Sequence, residues 1–437
     1  MSLFSIDAFK IDNLYNLFLV FSGMKGVFVI MDGVADEPCS ALDGKTPLEA
    51  ANTPNLDYFS GKGKIDYCYT VKEGIAPESS SAVVSLLGYD YRISPRGPLE
   101  ASGFGLKLTK GDLALRCNFA TVDDINDGNI MDRRAGRTLT TNEAMELARA
   151  VNEGVKLPFK FEFHATSGHR GVLVFRGGFS DNITNADPFY SNGMAVSGKS
   201  KVVFSKPLDD EEDSMLSAEL VNNFIRQSHE ILDKHPINVA RVRKGLFSAN
   251  FILCRDAGNS LPNFKKLKGK WMALGYMPLE KGIAKAAKMD LYSFKYPKMR
   301  GIDSYAHLYS GLYRSIKYAL RMIKRNYRKY DYFYVHFKET DIPGHDNKPL
   351  DKVKMIEMID KGFFGYLKWY LEKSNAKLVV TADHTTSCRM KGHSDKPVPV
   401  LTYPSEKAKG DRFTERDGMN GRKIMGRKLL QENMFGK

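Results

Sequence analysis

The sequence predicts an α/β fold in which an open sheet carries polar side chains where its strands end. Three continuous apolar runs, Val27–Met31, Tyr332–Phe337 and Leu378–Val380, have the composition of buried parallel strands. A carboxylate follows each run within a few residues. In open α/β sheets the carboxyl ends of the strands form the crevice where ligands bind. The fold class therefore also indicates where a functional site is expected.

The middle of the chain has a different pattern. It contains alternating segments such as Phe159–His164 and Gly171–Phe175, separated by turn-rich loops. The chain has 437 residues, so two domains are the natural expectation. We predict a three-layer α/β domain formed by residues 24–94 and 269–437. A smaller α+β domain, residues 95–268, is inserted into it.

Residues 1–23 precede the first predicted strand. Met24 opens the segment that leads into this strand, so residues 1–23 are interpreted as an N-terminal extension. Their apolar part, Leu14–Phe21, is shorter than the roughly 18 to 20 residues of a membrane helix. It also ends without a convincing cleavage site. No longer apolar run occurs in the sequence, so no membrane association is predicted.

The first part of the α/β domain contains clear helix signals. Thr46–Phe59 predicts a short helix and then a second one that begins at Thr53. Ser79–Leu87 predicts a helix with serines at its N-terminus, where backbone N–H groups favour a phosphate. Gly88 ends this unit, and Pro95–Pro98 is interpreted as a linker.

The α/β pattern resumes from Trp271. Leu274–Met277 predicts a short strand. Tyr305–Arg328 and Leu350–Lys373 predict long amphipathic helices on either side of the strand that ends at Phe337.

The charge balance favours an anionic partner. The net charge is +14 and the isoelectric point is about 9.3. The charge is spread along the chain, and neither a zinc finger nor a long basic tail occurs. Diffuse basicity is usually a solvated surface, so a small phosphorylated substrate is favoured and nucleic-acid binding is not predicted. The five cysteines form no C-x-x-C pair, which is typical of a reducing cytoplasm.

Acidic and imidazole side chains cluster after the predicted strands. Asp341 and His345 are four residues apart and share a face if the segment is helical. Asp383 and His384 are adjacent and follow the strand Leu378–Val380. Adjacent residues that leave a strand point to opposite sides, so this loop can supply ligands to two metal ions. His393 can fold back as a final ligand. The candidate metal ligands are Asp32, Asp341, His345, Asp383, His384 and His393.

Each of these signals also has an ordinary structural interpretation. Asp341 can cap a helix, Asp383 can cap a loop, and an isolated His393 is typical of a surface histidine. The six candidate ligands together are a more specific signal than any one of them, because three of the nine histidines in the chain belong to this group. Asp and His suit Mn²⁺, Mg²⁺ or Zn²⁺. Two such ions together with a hydroxyl favour phosphoryl transfer.

The serine run at 79–81 supplies a candidate hydroxyl. A serine is a weak nucleophile at neutral pH and needs a metal or a base nearby. The alternative is that these serines only cap the helix.

Arginines in the predicted inserted domain are candidates for binding a small dianion. Guanidinium groups bind phosphate and carboxylate through two parallel hydrogen bonds. Each arginine alone is more often a surface charge, but their grouping favours a clamp for a phosphorylated acid. The group consists of Arg133, Arg134, Arg137, Arg170 and Arg255.

Several motifs carry a resemblance to a known family. They are Val29-Ile30-Met31-Asp32-Gly33, Leu86-Leu87-Gly88-Tyr89-Asp90, Arg96–Ala101, Arg116–Phe119, Asp132–Arg137, Asp233–Pro236, Thr340-Asp341 with His345-Asp346, and Asp383-His384. Through these motifs the chain resembles the archaeal-type cofactor-independent (2,3-bisphosphoglycerate-independent) phosphoglycerate mutases of the alkaline phosphatase superfamily. The resemblance covers most of residues 24–430.

The resemblance implies an alkaline-phosphatase-like three-layer domain with an inserted domain and two metal ions. The first ion would be held by Asp32, Ser79, Asp383 and His384, and the second by Asp341, His345 and His393. The ions implied are Mn²⁺, with Mg²⁺, Co²⁺ or Zn²⁺ as alternatives, and no 2,3-bisphosphoglycerate is implied.

The resemblance also implies roles for single residues. Ser79 would be the nucleophile, counted back from Gly88, and Lys298 would contact the phosphate as a further catalytic residue. The implied substrate-binding residues are Asp132, Arg133, Arg134, Arg137, Arg170 and Arg255.

The implied activity is interconversion of 3-phosphoglycerate and 2-phosphoglycerate through a phosphoserine, in the cytoplasm. The alternative is a metal-dependent phosphatase or phosphotransferase that acts on another small phosphorylated acid. One departure from the family adds a third possibility, a weakened homologue that binds anions. Where the family usually has Gly-Ser-Asp, this chain has Glu78-Ser79-Ser80, which also leaves Ser80 as an alternative nucleophile.

Overall fold

A computed structural model describes residues 24–191, 194–195, 201–406 and 411–436. The predicted extension, residues 1–23, lies outside the described residues. In chain order the strands are β1 (Gly26–Met31), β2 (Lys64–Tyr69), β3 (Leu113–Val122), β4 (Ile130–Asp132), β5 (Phe161–Ser167), β6 (Arg170–Phe175), β7 (Tyr190–Ser191), β8 (Met194–Ala195), β9 (Phe251–Gly258), β10 (Trp271–Leu274), β11 (Asp290–Tyr292), β12 (Tyr332–Phe337), β13 (Lys377–Thr381), β14 (Thr385–Ser387), β15 (Gly392–Ser394), β16 (Val398–Tyr403) and β17 (Lys423–Met425).

Helices connect and cover these strands. The α-helices are α1 (Pro47–Ala50), α2 (Pro54–Gly61), α3 (Ser79–Leu86), α4 (Arg96–Phe104), α5 (Thr141–Gly154), α6 (Glu212–Asp233), α7 (Pro236–Arg243), α8 (Pro278–Ala286), α9 (Ser304–Asn326), α10 (Asp341–His345), α11 (Pro349–Ile359), α12 (Gly365–Leu371) and α13 (Glu415–Met419). Short 3₁₀ turns lie at Ser40–Leu42, Ala135–Arg137 and Gly426–Lys428, and π-helical turns at Asp360–Phe364 and Leu430–Met434. None of the helices among the described residues combines the length and apolarity needed to cross a membrane.

The larger sheet has the strand order β11-β10-β12-β1-β13-β16-β2-β17. β1 lies between β12 and β13 and is parallel to both, with Ile30 opposite His336 and Thr381. All six residues of β1 are buried, although their side chains alternate between the two faces of the sheet. Both faces are therefore covered, as in a three-layer arrangement, and the predicted α/β fold class is confirmed.

A second sheet forms within the predicted inserted segment. It has the order β4-β3-β6-β5, with β9 paired to the other edge of β3. β3 is antiparallel to β4, β6 and β9. Residues of α5 and α6, such as Leu147 and Phe224, pack with Phe163 of β5 in a hydrophobic cluster separate from the core of the larger sheet. This is the smaller α+β unit that the fold class included.

The interpretation of Pro95–Pro98 as a linker is wrong. Helix α4 begins at Arg96 and packs against α8 on one side and β3 on the other. Glycines permit both approaches, since a Cβ on Gly97 would collide with the backbone of Ala114, and one on Gly103 with the backbone of Pro278. Helix α4 therefore contacts elements of both predicted domains. The domain boundaries at 94/95 and 268/269 stay a prediction.

Other elements match the sequence with small shifts. The predicted strand at 274–277 is displaced, because β10 ends at Leu274 and Gly275 begins a loop. The predicted helix at 350–373 is divided into α11, a π-helical turn and α12. The helix predicted at 305–328 is confirmed as α9.

Candidate active site

A cavity lies where β1 and β12 end, and side chains from both units line it. Ser79, Asp341, His345 and His393 line it from the α/β part. From the inserted segment it is lined by Arg96, Glu100, Arg116, Asn118, Arg134, Arg137, Thr166, Ser167, Gly168, His169, Arg170 and Arg255. The cavity therefore lies at the strand ends, where the sequence predicts a ligand-binding crevice. The smaller sheet lines one side of it.

Asp32, Asp383 and His384 form the first cluster of possible metal ligands. Nε2 of His384 lies 3.6 Å from Oδ1 of Asp32 and 3.3 Å from Oδ2 of Asp383. All three side chains are fully buried. These two carboxylate oxygens accept no hydrogen bond from the described residues, whereas the backbone N–H of Gly33 donates to Asp383 Oδ1 at 3.0 Å. Buried anionic oxygens without a donor are expected where a cation binds.

Asp341, His345 and His393 form the second cluster. Oδ1 of Asp341 lies 3.4 Å from Nε2 of His345 and 3.7 Å from Nε2 of His393. Nδ1 of His345 is 3.1 Å from the carbonyl of Lys391, and Nδ1 of His393 is 2.7 Å from the carbonyl of Pro77. A carbonyl can only accept, so each Nδ1 carries the proton and each Nε2 offers its lone pair to the cavity.

The imidazoles of His384 and His345 favour the neutral form. Burial lowers the pKa of His384 to about 3. Burial also holds the pKa of His345 well below its ordinary value, against the opposing charge of Asp341. The rings of His384 and His393 stack with their centroids 3.7 Å apart, an arrangement that two positive rings would oppose. Neutral imidazoles are the form that binds a metal.

Ser79 occupies the point where the first cluster opens to the cavity. Its Oγ lies 3.1 Å from Nε2 of His384. It is the first residue of α3, and among the serines of the run it alone lines the cavity. The Ser81 hydroxyl instead donates to the carbonyl of Glu78.

Gly33 explains why the loop after β1 fits this arrangement. Its φ of +54° lies in the left-handed region. A Cβ at this position would stand 2.8 Å from Oδ1 of Asp341 and would collide with the hydroxyl of Thr386. Only glycine lets the loop pass this close to a candidate metal ligand.

Three polar residues beside Asp32 were missed by the sequence analysis. Nε2 of His336 lies 3.0 Å from Asp32 Oδ2, and the ammonium of Lys338 donates to the same oxygen. Lys338 also lies 3.2 Å from Oε1 of Glu280. A usable signal was present, because Lys338 directly follows the predicted strand Tyr332–Phe337, at its carboxyl end.

Glu280 gave no comparable signal in the sequence, since it lies inside a helix. Burial raises its pKa to about 8. Neither of its carboxylate oxygens accepts a hydrogen bond from the described residues. Lys298, in contrast, is exposed and does not line the cavity. Lys338 therefore lies beside the possible metal ligand Asp32, whereas Lys298 lies outside the cavity.

The predicted arginine group divides in two. Arg134, Arg137, Arg170 and Arg255 line the cavity, whereas Arg133 does not and lies 5.4 Å from the centre of the Phe189 ring. Arg96 and Arg116 also line it and were not among the candidates.

Asp132 does not line the cavity but shapes the turn that presents two of these arginines. Its Oδ1 accepts from the backbone N–H of Arg134 at 2.7 Å and of Gly136 at 2.8 Å. Arg137, which follows in the same turn, lies 3.2 Å from Oδ2 of Asp346. The cavity therefore combines acidic clusters on one side with guanidinium groups on the other, a distribution suited to a phosphorylated acid.

A family model and two curated relatives that match this chain carry the same description. A family model described as 2,3-bisphosphoglycerate-independent phosphoglycerate mutase matches residues 61–238. A protein of that name from Thermococcus kodakarensis is 37% identical over 405 residues, covering 91% of this chain and 93% of the relative. One from Aeropyrum pernix is 38% identical over 424 residues, covering 91% and 95%.

Two solved structures are similar over nearly the whole chain. One is a protein of Pyrococcus horikoshii, with a TM-score of 0.70 and 28% identity, covering 94% of this chain and 97% of that one. The other is the cofactor-independent phosphoglycerate mutase of Thermoplasma acidophilum, with a TM-score of 0.53 and 28% identity, covering 94% and 99%.

Proposed function

This chain belongs to the 2,3-bisphosphoglycerate-independent phosphoglycerate mutases, and we propose that it interconverts 3-phosphoglycerate and 2-phosphoglycerate through a phosphoserine on Ser79. One observation carries the mechanism: the Ser79 hydroxyl stands at the opening of a buried cluster of carboxylates and an imidazole, 3.1 Å from His384. A serine in this position is next to groups that can hold a cation, which is the activation it needs.

The donor set fits two divalent ions. Hard carboxylate oxygens and borderline imidazole nitrogens suit Mn²⁺, Mg²⁺, Co²⁺ or Zn²⁺, of which we propose Mn²⁺, and no 2,3-bisphosphoglycerate is required. The unpartnered buried oxygens of the first cluster support this fit. The first ion would be held by Asp32, Ser79, Asp383 and His384, and the second by Asp341, His345 and His393. Bound ions would neutralise phosphate oxygens and favour the ionised serine hydroxyl.

The chain's own residues would then perform the transfer. The Ser79 oxygen attacks the substrate phosphorus, and the bond from phosphorus to the glycerate oxygen breaks, which leaves phosphoserine and glycerate. Arg134, Arg137 and Arg170 line the cavity and would hold the glycerate carboxylate while glycerate turns over. The other glycerate hydroxyl takes the phosphoryl group back, and Ser79 is regenerated. The smaller sheet covers the cavity and keeps water from the phosphoserine.

A coupled assay tests the proposal. The full-length protein is given 3-phosphoglycerate with Mn²⁺, formation of 2-phosphoglycerate is followed through enolase, and released inorganic phosphate is measured in parallel. A mutase converts the substrate without releasing phosphate. Phosphate release without 2-phosphoglycerate would instead indicate the alternative, a phosphatase.

We also propose a cytoplasmic location, on the basis of the unpaired cysteines among the described residues.

A further inference from the structure

Glu78, the residue before the proposed nucleophile, turns its carboxylate into the cavity. It precedes the first residue of α3, yet its side chain makes no capping hydrogen bond to that helix. The side chain is only 2% exposed and lines the same cavity as Ser79. An ionised carboxylate here would repel a phosphorylated substrate, so its position requires an explanation.

Two arginines meet this carboxylate. Nη1 of Arg96 donates to Oε2 of Glu78 at 2.7 Å, and Nη2 of Arg255 lies 3.9 Å from Oε1. A guanidinium hydrogen bond of this length favours the carboxylate form of Glu78 over the neutral acid. Its Oε1 is buried and accepts no hydrogen bond from the described residues.

Other acidic residues hold both arginines in place. Nε of Arg96 donates to Glu100 at 2.8 Å. Nη1 of Arg255 donates to Asp187 at 3.0 Å, and its Nε donates to Asp256 at 3.0 Å. Loss of the Glu78 charge would thus leave each guanidinium with a buried partner and an unchanged position. Because other carboxylates also hold the two arginines, we expect the main consequence of Glu78 to be electrostatic.

We propose that Glu78 lowers the affinity of the cavity for phosphate and carboxylate anions. Its carboxylate competes with these anions for Arg96 and Arg255. The inference rests on the proposed function in one respect, which is that the physiological anion is a small phosphorylated acid. The cations that line the cavity are Arg96, Arg116, Arg134, Arg137, Arg170, Arg255 and Lys338. These cations attract a dianion, and weaker ground-state binding favours release of product and of inorganic phosphate.

The test measures binding of inorganic phosphate to the full-length, Mn²⁺-loaded protein by titration calorimetry. Glu78→Gln keeps the size of the side chain and removes the charge, so the Kd for phosphate should fall by about tenfold. The KM for 3-phosphoglycerate should fall in parallel. Glu78→Asp keeps the charge and should remain near the wild-type Kd.

A matched control separates the local charge from the net charge of the protein. Glu73→Gln removes the same formal charge from an exposed residue that pairs with Lys423 and does not line the cavity, and it should leave the Kd unchanged. If Glu78→Gln does not fold, Glu78→Gly is measured in its place with the same expectation.

Two results would overturn the inference: a Kd in Glu78→Gln that equals or exceeds that of wild type, or an equal fall in Glu73→Gln. A wild-type protein that does not convert 3-phosphoglycerate, while its Glu78→Gln variant binds phosphate more tightly, would refute the proposed function and leave the inference standing.

Discussion

Oγ of Ser79 lies 3.1 Å from Nε2 of His384, although the two residues are 305 positions apart in the sequence. The contact joins the start of α3 to the loop that follows β13, and it places a hydroxyl beside Asp32 and Asp383. This relationship underlies the predictions on the nucleophile and on the metal clusters.

Ser79→Ala should abolish mutase activity, by about three orders of magnitude or more, because no other hydroxyl of the serine run lines the cavity. The coupled enolase assay measures the loss, and mass spectrometry of enzyme quenched with substrate should locate phosphate on Ser79. Ser81→Ala is the matched control and should keep most of the activity, since its hydroxyl donates to a backbone carbonyl. A label on Ser80 would show that the assignment is off by one residue.

His384→Ala should reduce bound metal from about two ions per chain to about one and abolish activity, because it removes a nitrogen from the first cluster. Metal content after loading and dialysis is measured by elemental analysis, and far-ultraviolet circular dichroism checks the fold. His307→Ala is a suitable control, since His307 lines the cavity but belongs to neither cluster. Full metal content and normal turnover in His384→Ala would show that the metal assignment is wrong.

Removal of metal should destabilise the protein. The buried Asp32 and Asp383 and the partly buried Asp341 bring negative charge together, and a bound cation would relieve their repulsion. Treatment with a chelator should therefore lower the melting temperature by roughly several degrees, and Mn²⁺ should restore it. Asp383→Asn should lose the first ion and keep the second, so the chelator should lower its melting temperature by less than it lowers that of wild type. A melting temperature of wild type that does not respond to the chelator would contradict the prediction.

Arg134→Ala and Arg133→Ala should differ in their kinetics. Arg134 lines the cavity, so its loss should lower kcat/KM for 3-phosphoglycerate by about tenfold or more. Arg133 lies against the ring of Phe189 outside the cavity, so its loss should change kcat/KM by less than about threefold. Metal content should remain unchanged in both variants. Equal kinetic effects would mean that the cavity lining does not identify the substrate-binding arginines.

Lys338→Met should impair catalysis far more than Lys298→Met. The Lys338 ammonium donates to Asp32 and lies 3.2 Å from Glu280, so its loss leaves buried carboxylates without their cation. We expect a loss of about tenfold or more in kcat/KM. Lys298 is exposed, and its replacement should change kcat/KM by less than about twofold. Comparable losses in the two variants would support Lys298 as a phosphate contact.

Strand identity and strand ends could be predicted from local composition. The run Tyr332–Phe337 forms β12 with the predicted bounds, and Val27–Met31 forms β1 with one additional residue. Continuous β-branched and aromatic residues suffice to identify a strand buried on both faces. The start of α3 at Ser79 was likewise predicted, because serines before an apolar run are a local signal.

Other features could not be predicted, since they depend on which elements meet. Arg96 was assigned to a linker, although it begins a helix held between α8 and β3. Glu280 carries no local signal for a site, and its raised pKa arises from burial in the folded protein. The sequence could not separate Arg133 from Arg134, because a turn shaped by Asp132 decides which of the two faces the cavity.

The sequence by itself determined the fold class, the strands, and the acidic and imidazole residues that follow them. These properties depend on side-chain polarity and on spacing along a few adjacent residues, which the chain retains before it folds. Only the tertiary structure decided the partners of Ser79, the contact of Lys338 with Asp32, and the position of Glu78 between Arg96 and Arg255. Such contacts join residues far apart in the sequence, and they exist only once parallel strands have brought their carboxyl ends to one edge of the sheet.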